Sequence, residues 1–303
     1  MNLETKFLGK NFTSPIVLAS GILGLTGAGL KHTTDNGCGG VTAKSVSLYP
    51  RSGHTNPTMV GYEHFFINAV GLSNPGVMDA ITELKKFKSL TDKPLIGSIF
   101  AGTPEEFAIV AEKICEAPID FLEVDISCPN VSKEFGKPFA YDKKAVEIIT
   151  TKVKEKSSVP IIIKLSPNAW DIDEIAVIAE NAGADAITAV NTVAGMAIDV
   201  YSRQPVLANK QGGVSGPALF PIALKCVYDI YAKVKIPIIG TGGITTGADA
   251  LAMIMAGARL IGIGSAVYFR GPDAFQKIKD EMIEIMEKEN IKSLNDILGC
   301  AHL

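Results

Sequence analysis

The segment Pro160-Ile161-Ile162-Ile163-Lys164-Leu165 and the later segment Asp185-Ala186-Ile187-Thr188-Ala189-Val190 decide the fold. Both are short and almost continuously apolar, which is typical of strands in a parallel sheet that is buried on both faces. The residues between them have helical periodicity and end at Asn181-Ala182-Gly183, a helix-stop signal. This part of the chain is therefore predicted to be one strand–helix–strand unit.

The same unit recurs along the chain. Eight such units within 303 residues favour a closed (β/α)8 TIM barrel over an open, doubly wound sheet. Residues 3–12 alternate around Gly9-Lys10 and predict an N-terminal β-hairpin that caps the barrel floor. No linker or composition shift divides residues 1–303, so a single domain is expected. The predicted strands are residues 15–20, 39–44, 95–100, 120–125, 160–165, 185–190, 236–240 and 259–263.

Composition excludes several classes of partner. The chain is 47% hydrophobic and 20% charged with a formal net charge of -3, which gives no electrostatic reason to expect nucleic acid or an anionic membrane. No apolar run approaches the roughly 20 residues that a bilayer-spanning helix needs. The N-terminus lacks the apolar core of a secretory signal, so a cytoplasmic location is expected.

The cysteines and histidines give no metal-binding pattern. Five cysteines is an odd number, and their wide spacing predicts neither a disulfide framework nor a set of iron–sulfur ligands. The four histidines, the tyrosines and the phenylalanines form no ligand spacing and are assigned no role. Any redox chemistry must therefore come from a bound organic cofactor or from another chain.

Three strand-to-helix connections are unusually long: residues 45–75, 126–142 and 192–216. In a barrel these connections lie at the C-terminal face, where active sites are built. Lys44 ends the second predicted strand, and a lysine at a strand end is about equally often a solvated side chain. Lys164 lies inside an apolar strand, where its charge needs an anion or a cofactor oxygen.

Cys128 follows the fourth strand within Ser127-Cys128-Pro129-Asn130. Free cysteines are usually core residues, but a thiolate on a loop at the barrel mouth has the position of a general base. Asn68, Asn130 and Asn191 all fall in or beside strand-end loops. Each alone resembles a turn residue, and together they offer amides to a planar heterocycle.

Two glycine motifs predict a phosphate site. Gly242-Gly243 follows the seventh strand and Gly264-Ser265 follows the eighth. Barrel phosphate sites are built from these two loops, with backbone N–H groups near a helix N-terminus.

Several motifs, in order along essentially the whole chain, resemble class 1 dihydroorotate dehydrogenase. The resemblance implies a flavin mononucleotide (FMN) barrel that oxidises (S)-dihydroorotate to orotate in pyrimidine biosynthesis. It assigns Cys128 as the base that takes the C5 proton while hydride leaves C6 for flavin N5. The motifs are Lys44-Ser45, Asn68-Ala69-Val70-Gly71-Leu72, Ser127-Cys128-Pro129-Asn130, Asn191-Thr192, Gly212-Gly213-Val214-Ser215-Gly216-Pro217 and Gly240-Thr241-Gly242-Gly243-Ile244.

The resemblance also implies the binding residues. The substrate positions are Lys44, Asn68, Ala69, Val70, Gly71, Leu72, Asp125, Asn130, Asn191 and Thr192. The FMN positions are Ser20, Lys44, Ser45, Asp125, Lys164, Val190, Gly216, Gly242, Gly243, Gly264 and Ser265.

Three segments resemble the NAD-dependent class 1B subtype: Gly195-Met196-Ala197-Ile198-Asp199, Leu207-Ala208-Asn209 and Gly212-Gly213. That subtype implies a partner subunit carrying FAD and a 2Fe-2S cluster, around a homodimeric core of a heterotetramer. The alternative is the stand-alone homodimer that passes electrons to fumarate.

One residue departs from the family pattern. Asp125 stands where the family has asparagine, and an ionised carboxylate only accepts hydrogen bonds whereas an amide also donates. An FMN oxidoreductase with another substrate therefore stays open as an alternative. Two remoter alternatives are a non-flavin, phosphate-binding barrel lyase or isomerase, and a non-catalytic electron-transfer or scaffold subunit.

Overall fold

The computed structural model describes residues 2–127 and 139–302. Its strands are β1 (Thr5–Phe7), β2 (Lys10–Phe12), β3 (Ile16–Leu18), β4 (Gly40–Thr42), β5 (Met59–Gly61), β6 (Phe66–Asn68), β7 (Leu95–Ile99), β8 (Phe121–Asp125), β9 (Ile161–Lys164), β10 (Ala186–Ala189), β11 (Val193–Gly195), β12 (Ile198–Asp199), β13 (Gln204–Pro205), β14 (Gly212–Ser215), β15 (Ile238–Thr241) and β16 (Ala258–Ile263). Its helices are α1 (Gly27–Asp35), α2 (Val77–Leu90), α3 (Pro104–Ile114), α4 (Lys143–Lys156), α5 (Ile172–Asn181), α6 (Phe220–Tyr231), α7 (Gly247–Met255), α8 (Ala266–Arg270) and α9 (Ala274–Lys288).

Eight parallel strands close into a barrel in the order β3-β4-β7-β8-β9-β10-β15-β16, and β16 pairs with β3 to complete it. These are the eight predicted strands, so the (β/α)8 prediction is confirmed. The helix-stop prediction also holds, because Gly183 has φ +103° and Gly257 has φ +119°, conformations that glycine adopts without a Cβ clash.

The N-terminal hairpin closes the barrel floor, which we define as the N-terminal ends of the barrel strands. β1 and β2 pair antiparallel. Phe7 and Phe12 from the hairpin pack against Phe121 at the start of β8, with ring centroids 5.5 and 6.3 Å away. All three rings are almost completely buried. Both the predicted hairpin and its capping position are therefore confirmed.

The barrel mouth, at the C-terminal ends of the strands, carries structure that the sequence analysis did not predict. The two long connections 45–75 and 192–216 contribute β5, β6, β11 and β14 to one antiparallel sheet in the order β11-β14-β6-β5. A second, two-stranded sheet joins β12 and β13. Most of the third long connection, 126–142, lies outside the described residues.

None of the helices within residues 2–127 and 139–302 combines the length and the apolar character needed to cross a bilayer. The apolar residues instead form faces that pack on the barrel. In α9, for example, Phe275, Ile278, Met282 and Met286 are completely buried.

Candidate active site

A cavity of about 410 Å³ lies at the barrel mouth. Its volume is within the range typical of small-molecule sites. It brings together most of the binding residues predicted from the sequence. Those on its wall are Ser20, Lys44, Ser45, Asn68, Val70, Gly71, Leu72, Asp125, Lys164, Val190, Asn191, Thr192, Gly242, Gly243, Gly264 and Ser265.

Four predicted residues are not among these. Ala69 is completely buried in a cluster with Ile67 and Leu207, beneath the wall. Gly216 has φ +91°, and a Cβ there would lie 2.8 Å from the ring of Phe269, so its observed role is to shape the backbone. Cys128 and Asn130 lie outside the described residues.

Aromatic residues on the cavity wall were missed. The spacing of the tyrosines and phenylalanines predicted no role for them, but Phe66 and Tyr268 line the cavity with ring centroids 5.1 Å apart. Gly61 makes room for Tyr268, since a Cβ there would lie 2.2 Å from the Tyr268 hydroxyl. The position of Tyr268 in the helix that follows Gly264-Ser265 was the available signal.

Lys164 is 5% exposed and has the anionic partner that its place inside a strand required. Its Nζ donates to Ser20 Oγ at 2.8 Å and lies 3.7 Å from Glu123 Oε1. Glu123, which the sequence analysis did not single out, is 2% exposed. The two charges are thus paired in the barrel interior, beside the cavity.

Asp125 belongs to a polar cluster with Ser127 and Asn191. One carboxylate oxygen, Oδ1, accepts hydrogen bonds from Ser127 N at 3.0 Å, Ser127 Oγ at 2.6 Å and Asn191 Nδ2 at 3.4 Å. Asn191 Nδ2 also donates to Ser127 Oγ at 2.9 Å. The chain's own donors therefore satisfy this oxygen. Cys128 is the next residue after Ser127.

Gly242 and Gly243 bring backbone close to the helix that packs beside them. Their φ angles are +130° and +71°. A Cβ on Gly242 would lie 2.6 Å from Ala223 Cβ, and one on Gly243 would lie 2.3 Å from Phe220 N. Any side chain would therefore push this loop away from α6, which explains why two glycines occur here.

The N-terminus of α7 offers few free amides to an anion. Two of its backbone amides already have partners within the protein: Gly247 N donates to Glu281 Oε2 at 2.7 Å, and Asp249 N donates to Thr246 Oγ1 at 3.1 Å. These amides are unavailable to an anion. A phosphate group at this end of the barrel would depend on the Gly242-Gly243 and Gly264-Ser265 loops themselves.

The hydroxyl of Thr241 lies on the cavity wall and lacks a hydrogen-bond partner within the described part of the chain. Thr241 Oγ1 is buried and, among the residues the structure describes, makes no hydrogen bond. A buried hydroxyl without a partner is unusual, and a ligand group in the cavity would satisfy it. This orphaned hydroxyl, the glycine loops and Lys164 fit a phosphorylated, polar-edged cofactor.

No three His, Cys, Asp or Glu side chains within 2–127 and 139–302 lie close enough together to hold a metal ion. His54 packs against Gly71 of the cavity wall, and its Nδ1 lies 3.0 Å from the carbonyl oxygen of Ala69.

The structure is a (β/α)8 barrel with a cavity at the C-terminal ends of its strands, where barrel enzymes have their active sites. A family model described as dihydroorotate dehydrogenase matches residues 2–286, and the chain belongs to that family.

Similar proteins extend over nearly the whole chain. The chain is 44% identical to a protein of Methanocaldococcus jannaschii, covering 99% of this chain and 98% of the relative. It is 44% identical to a Pyrococcus horikoshii protein, with 99% and 97% covered, and 42% identical to one from Methanosarcina acetivorans, with 97% and 94% covered. All three relatives carry the name dihydroorotate dehydrogenase B (NAD(+)), catalytic subunit.

Proposed function

We propose that the chain oxidises (S)-dihydroorotate to orotate in pyrimidine biosynthesis, using FMN, as a single catalytic domain. The observation that carries the proposal is the cavity, which unites Lys44, Asn68 and Asn191 with Lys164 and the glycine loops. The full-length identity with named dehydrogenase subunits supports it.

FMN would supply the hydride acceptor. On the phosphate side, Gly242, Gly243, Gly264 and Ser265 would bind it through backbone and hydroxyl groups. On the ring side, the Lys164 ammonium would stabilise negative charge that develops on reduction. Ser20, Ser45 and Val190 complete the proposed flavin wall, and Thr241 adds a hydroxyl that has no partner within the described protein.

The substrate would lie against the amide-rich wall. Asn68 and Asn191 offer donors and acceptors to the pyrimidine edge, and Lys44 offers a cation to its carboxylate. Asn130 is proposed to join them. Cys128 is proposed as the base that removes the C5 proton, with its thiolate as the reacting form.

We further infer that electrons pass to NAD through a second subunit with FAD and a 2Fe-2S cluster, around a homodimer of this chain. The names of the relatives support this inference, because each is called the catalytic subunit of an NAD(+) enzyme. An assay with NAD and with fumarate, each with and without a co-purified iron–sulfur flavoprotein, tests it. Turnover with fumarate alone would favour the stand-alone alternative.

The direct test is dihydroorotate oxidation by the FMN-replete chain with a dye acceptor. We expect wild type to be yellow and active, and Cys128→Ala to bind FMN but lose almost all turnover. Cys115→Ala is the matched control, because Cys115 is a half-buried thiol at the end of α3 and should keep full activity. A colourless, inactive wild type would favour the non-flavin barrel alternative.

Asp125 favours a second candidate, an FMN oxidoreductase for a related cyclic amide or carboxylate. The carboxylate lies on the cavity wall, and its Oδ2 accepts only a long hydrogen bond, 3.5 Å from Asn191 Nδ2, within the part of the chain that the structure describes. Comparing the orotate affinity of Asp125→Asn with that of wild type decides between the two candidate functions. A large gain in affinity would indicate that the natural ligand is not orotate, and unchanged affinity would leave orotate in place.

A further inference from the structure

Glu123 is a buried charged residue that the proposed reaction does not use. It lies at the centre of β8, where its neighbours Leu122 and Val124 are completely buried and apolar. In the barrel register it stands beside Ser98 of β7. Its side chain therefore reaches into the barrel directly beneath the cavity.

Both carboxylate oxygens of Glu123 accept hydrogen bonds. Oε2 accepts from Thr188 Oγ1 at 3.0 Å, and Oε1 accepts from Ser98 Oγ at 3.2 Å. Oε1 also lies 3.7 Å from Lys164 Nζ. An ionised carboxylate accepts only, so each of the two hydroxyls must give its single hydrogen to Glu123.

This arrangement fixes the direction of the next hydrogen bond. Ser98 Oγ and Ser45 Oγ are 2.9 Å apart, and either could be the donor in isolation. Because Ser98 has given its hydrogen to Glu123, Ser45 must donate to Ser98. Ser45 then has only lone pairs to offer the cavity.

Ser20 has the opposite polarity. It accepts a hydrogen bond from Lys164 Nζ at 2.8 Å, since an ammonium group has no lone pair with which to accept. Its own hydroxyl hydrogen is therefore free to point at a ligand. Glu123 thus orders a wall with one acceptor, Ser45, one donor, Ser20, and one cation, Lys164, all of which line the cavity.

We propose that Glu123 is a positioning residue for the flavin: it holds the Lys164 ammonium at the cavity wall and, through Ser98, makes Ser45 a hydrogen-bond acceptor. The proposal rests on the proposed function, because it takes FMN as the ligand. A buried ion pair contributes little net stability compared with well-packed apolar residues. Stability therefore does not explain why this ion pair is buried here, whereas its position beside the cavity does.

The test measures the dissociation constant of FMN by titrating apoprotein and following flavin fluorescence. Glu123→Gln keeps the shape but removes the charge, and we expect binding to weaken about tenfold or more. Ser98→Ala leaves the ion pair but removes the hydrogen-bonded link to Ser45, and we expect FMN binding to weaken about threefold. Glu123→Asp keeps an accepting carboxylate and should bind within about threefold of wild type.

Repeating Glu123→Gln in a Lys164→Ala background isolates the part of the Glu123 effect that acts through Lys164. In that background we expect FMN affinity to fall by less than about threefold further, because the ammonium that Glu123 holds is already absent. Thr150→Val is the matched control: Thr150 is completely buried in α4 and donates to the carbonyl of Val146. It should leave FMN binding unchanged.

Two results would overturn the positioning role. One is that Glu123→Gln weakens FMN binding by the same factor with and without Lys164, and the other is that Glu123→Gln binds FMN with wild-type affinity. If Glu123→Gln does not fold, the Glu123→Asp and Ser98→Ala variants decide. A folded Glu123→Asp whose FMN affinity falls as far as that of Lys164→Ala also overturns the positioning role. Failure of wild type to bind FMN overturns the proposed function instead, so the two failures are distinguishable.

Discussion

The floor and the mouth of the barrel are built from the same eight strands, but they bury opposite kinds of side chain. At the floor, the rings of Phe7, Phe12 and Phe121 pack in contact. At the mouth, the barrel interior contains Glu123 and Lys164 with hydroxyl groups around them. This difference in buried side chains indicates that the floor contributes mainly to stability. At the mouth, polar groups of a binding site take the place of apolar packing.

The largest expected effect comes from opening the floor. Phe121→Ala should lower the free energy of unfolding by about 4 kcal/mol, because it removes a ring that is completely buried between two others. Urea unfolding measures it. Met78→Ala, at a 57% exposed position on α2, is the control and should change stability by less than about 0.5 kcal/mol. A loss below about 1 kcal/mol for Phe121→Ala would contradict the assigned role of the floor.

The second effect tests whether the mouth is built for function. Lys164→Met should destabilise by about 3 kcal/mol, because it leaves the Glu123 carboxylate buried without its cation. The double variant Glu123→Met/Lys164→Met should recover most of that loss and still fail to bind FMN. Urea unfolding and FMN titration measure the two quantities. A double variant less stable than Lys164→Met would show that the charged pair itself supports the fold.

A matched pair of glycine substitutions compares the two ends directly. Gly9 in the floor hairpin has φ +86° with no atom within 4 Å of an added Cβ, whereas Gly243 has φ +71° with Phe220 N at 2.3 Å. Gly9→Ala should therefore lose about 1 kcal/mol from backbone strain alone, and Gly243→Ala about 2 kcal/mol or more. Gly243→Ala should also weaken FMN binding, which Gly9→Ala should leave unchanged. Equal stability losses would mean that the contact with α6 relaxes freely.

The smallest effect is a pH dependence at the floor. Burial opposes ionisation of Asp120, but hydrogen bonds from Lys10, the Leu95 amide and Lys88 outweigh it and hold its pKa below the usual value. The folded state therefore binds this proton less readily than the unfolded chain. The stability from Asp120 is present above about pH 4 and is lost as pH falls through the folded-state pKa.

Asp120→Asn checks this dependence. It should lower the free energy of unfolding by about 1 kcal/mol at neutral pH, and the difference from wild type should shrink toward about pH 3. Urea unfolding at both pH values measures it. A difference that grows on acidification would contradict the lowered pKa of Asp120.

Sequence reasoning predicted the barrel strands because each is a short apolar run followed by a helical pattern. It missed the sheet over the mouth, whose strands are three or four residues long and include glycine-rich Gly212–Ser215. Local pattern is weak in such strands, because their pairing depends on partners that are distant in the chain.

Most of the cavity wall was also predictable, since strand-end residues of a barrel converge on one face. Phe66 was not, because nothing local distinguishes an aromatic residue on a cavity wall from one in the core. Tyr268 was missed although its place in the helix after Gly264-Ser265 pointed to the cavity. Glu123 was missed for a similar reason: a single acidic residue in a buried strand shows its partner only when Lys164 of the next strand is placed beside it.

The sheet over the mouth has a consequence for the order of folding. Its central pair joins β6 to β14, and Asn68 Nδ2 donates to the carbonyl of Gly213, 145 residues further along the chain. Contacts of such long range form slowly, because the intervening loop must first be closed. During synthesis, the hairpin and the first strands emerge long before β14 does. The binding site is therefore expected to become complete only after β14 has left the ribosome, later than the hairpin that caps the barrel.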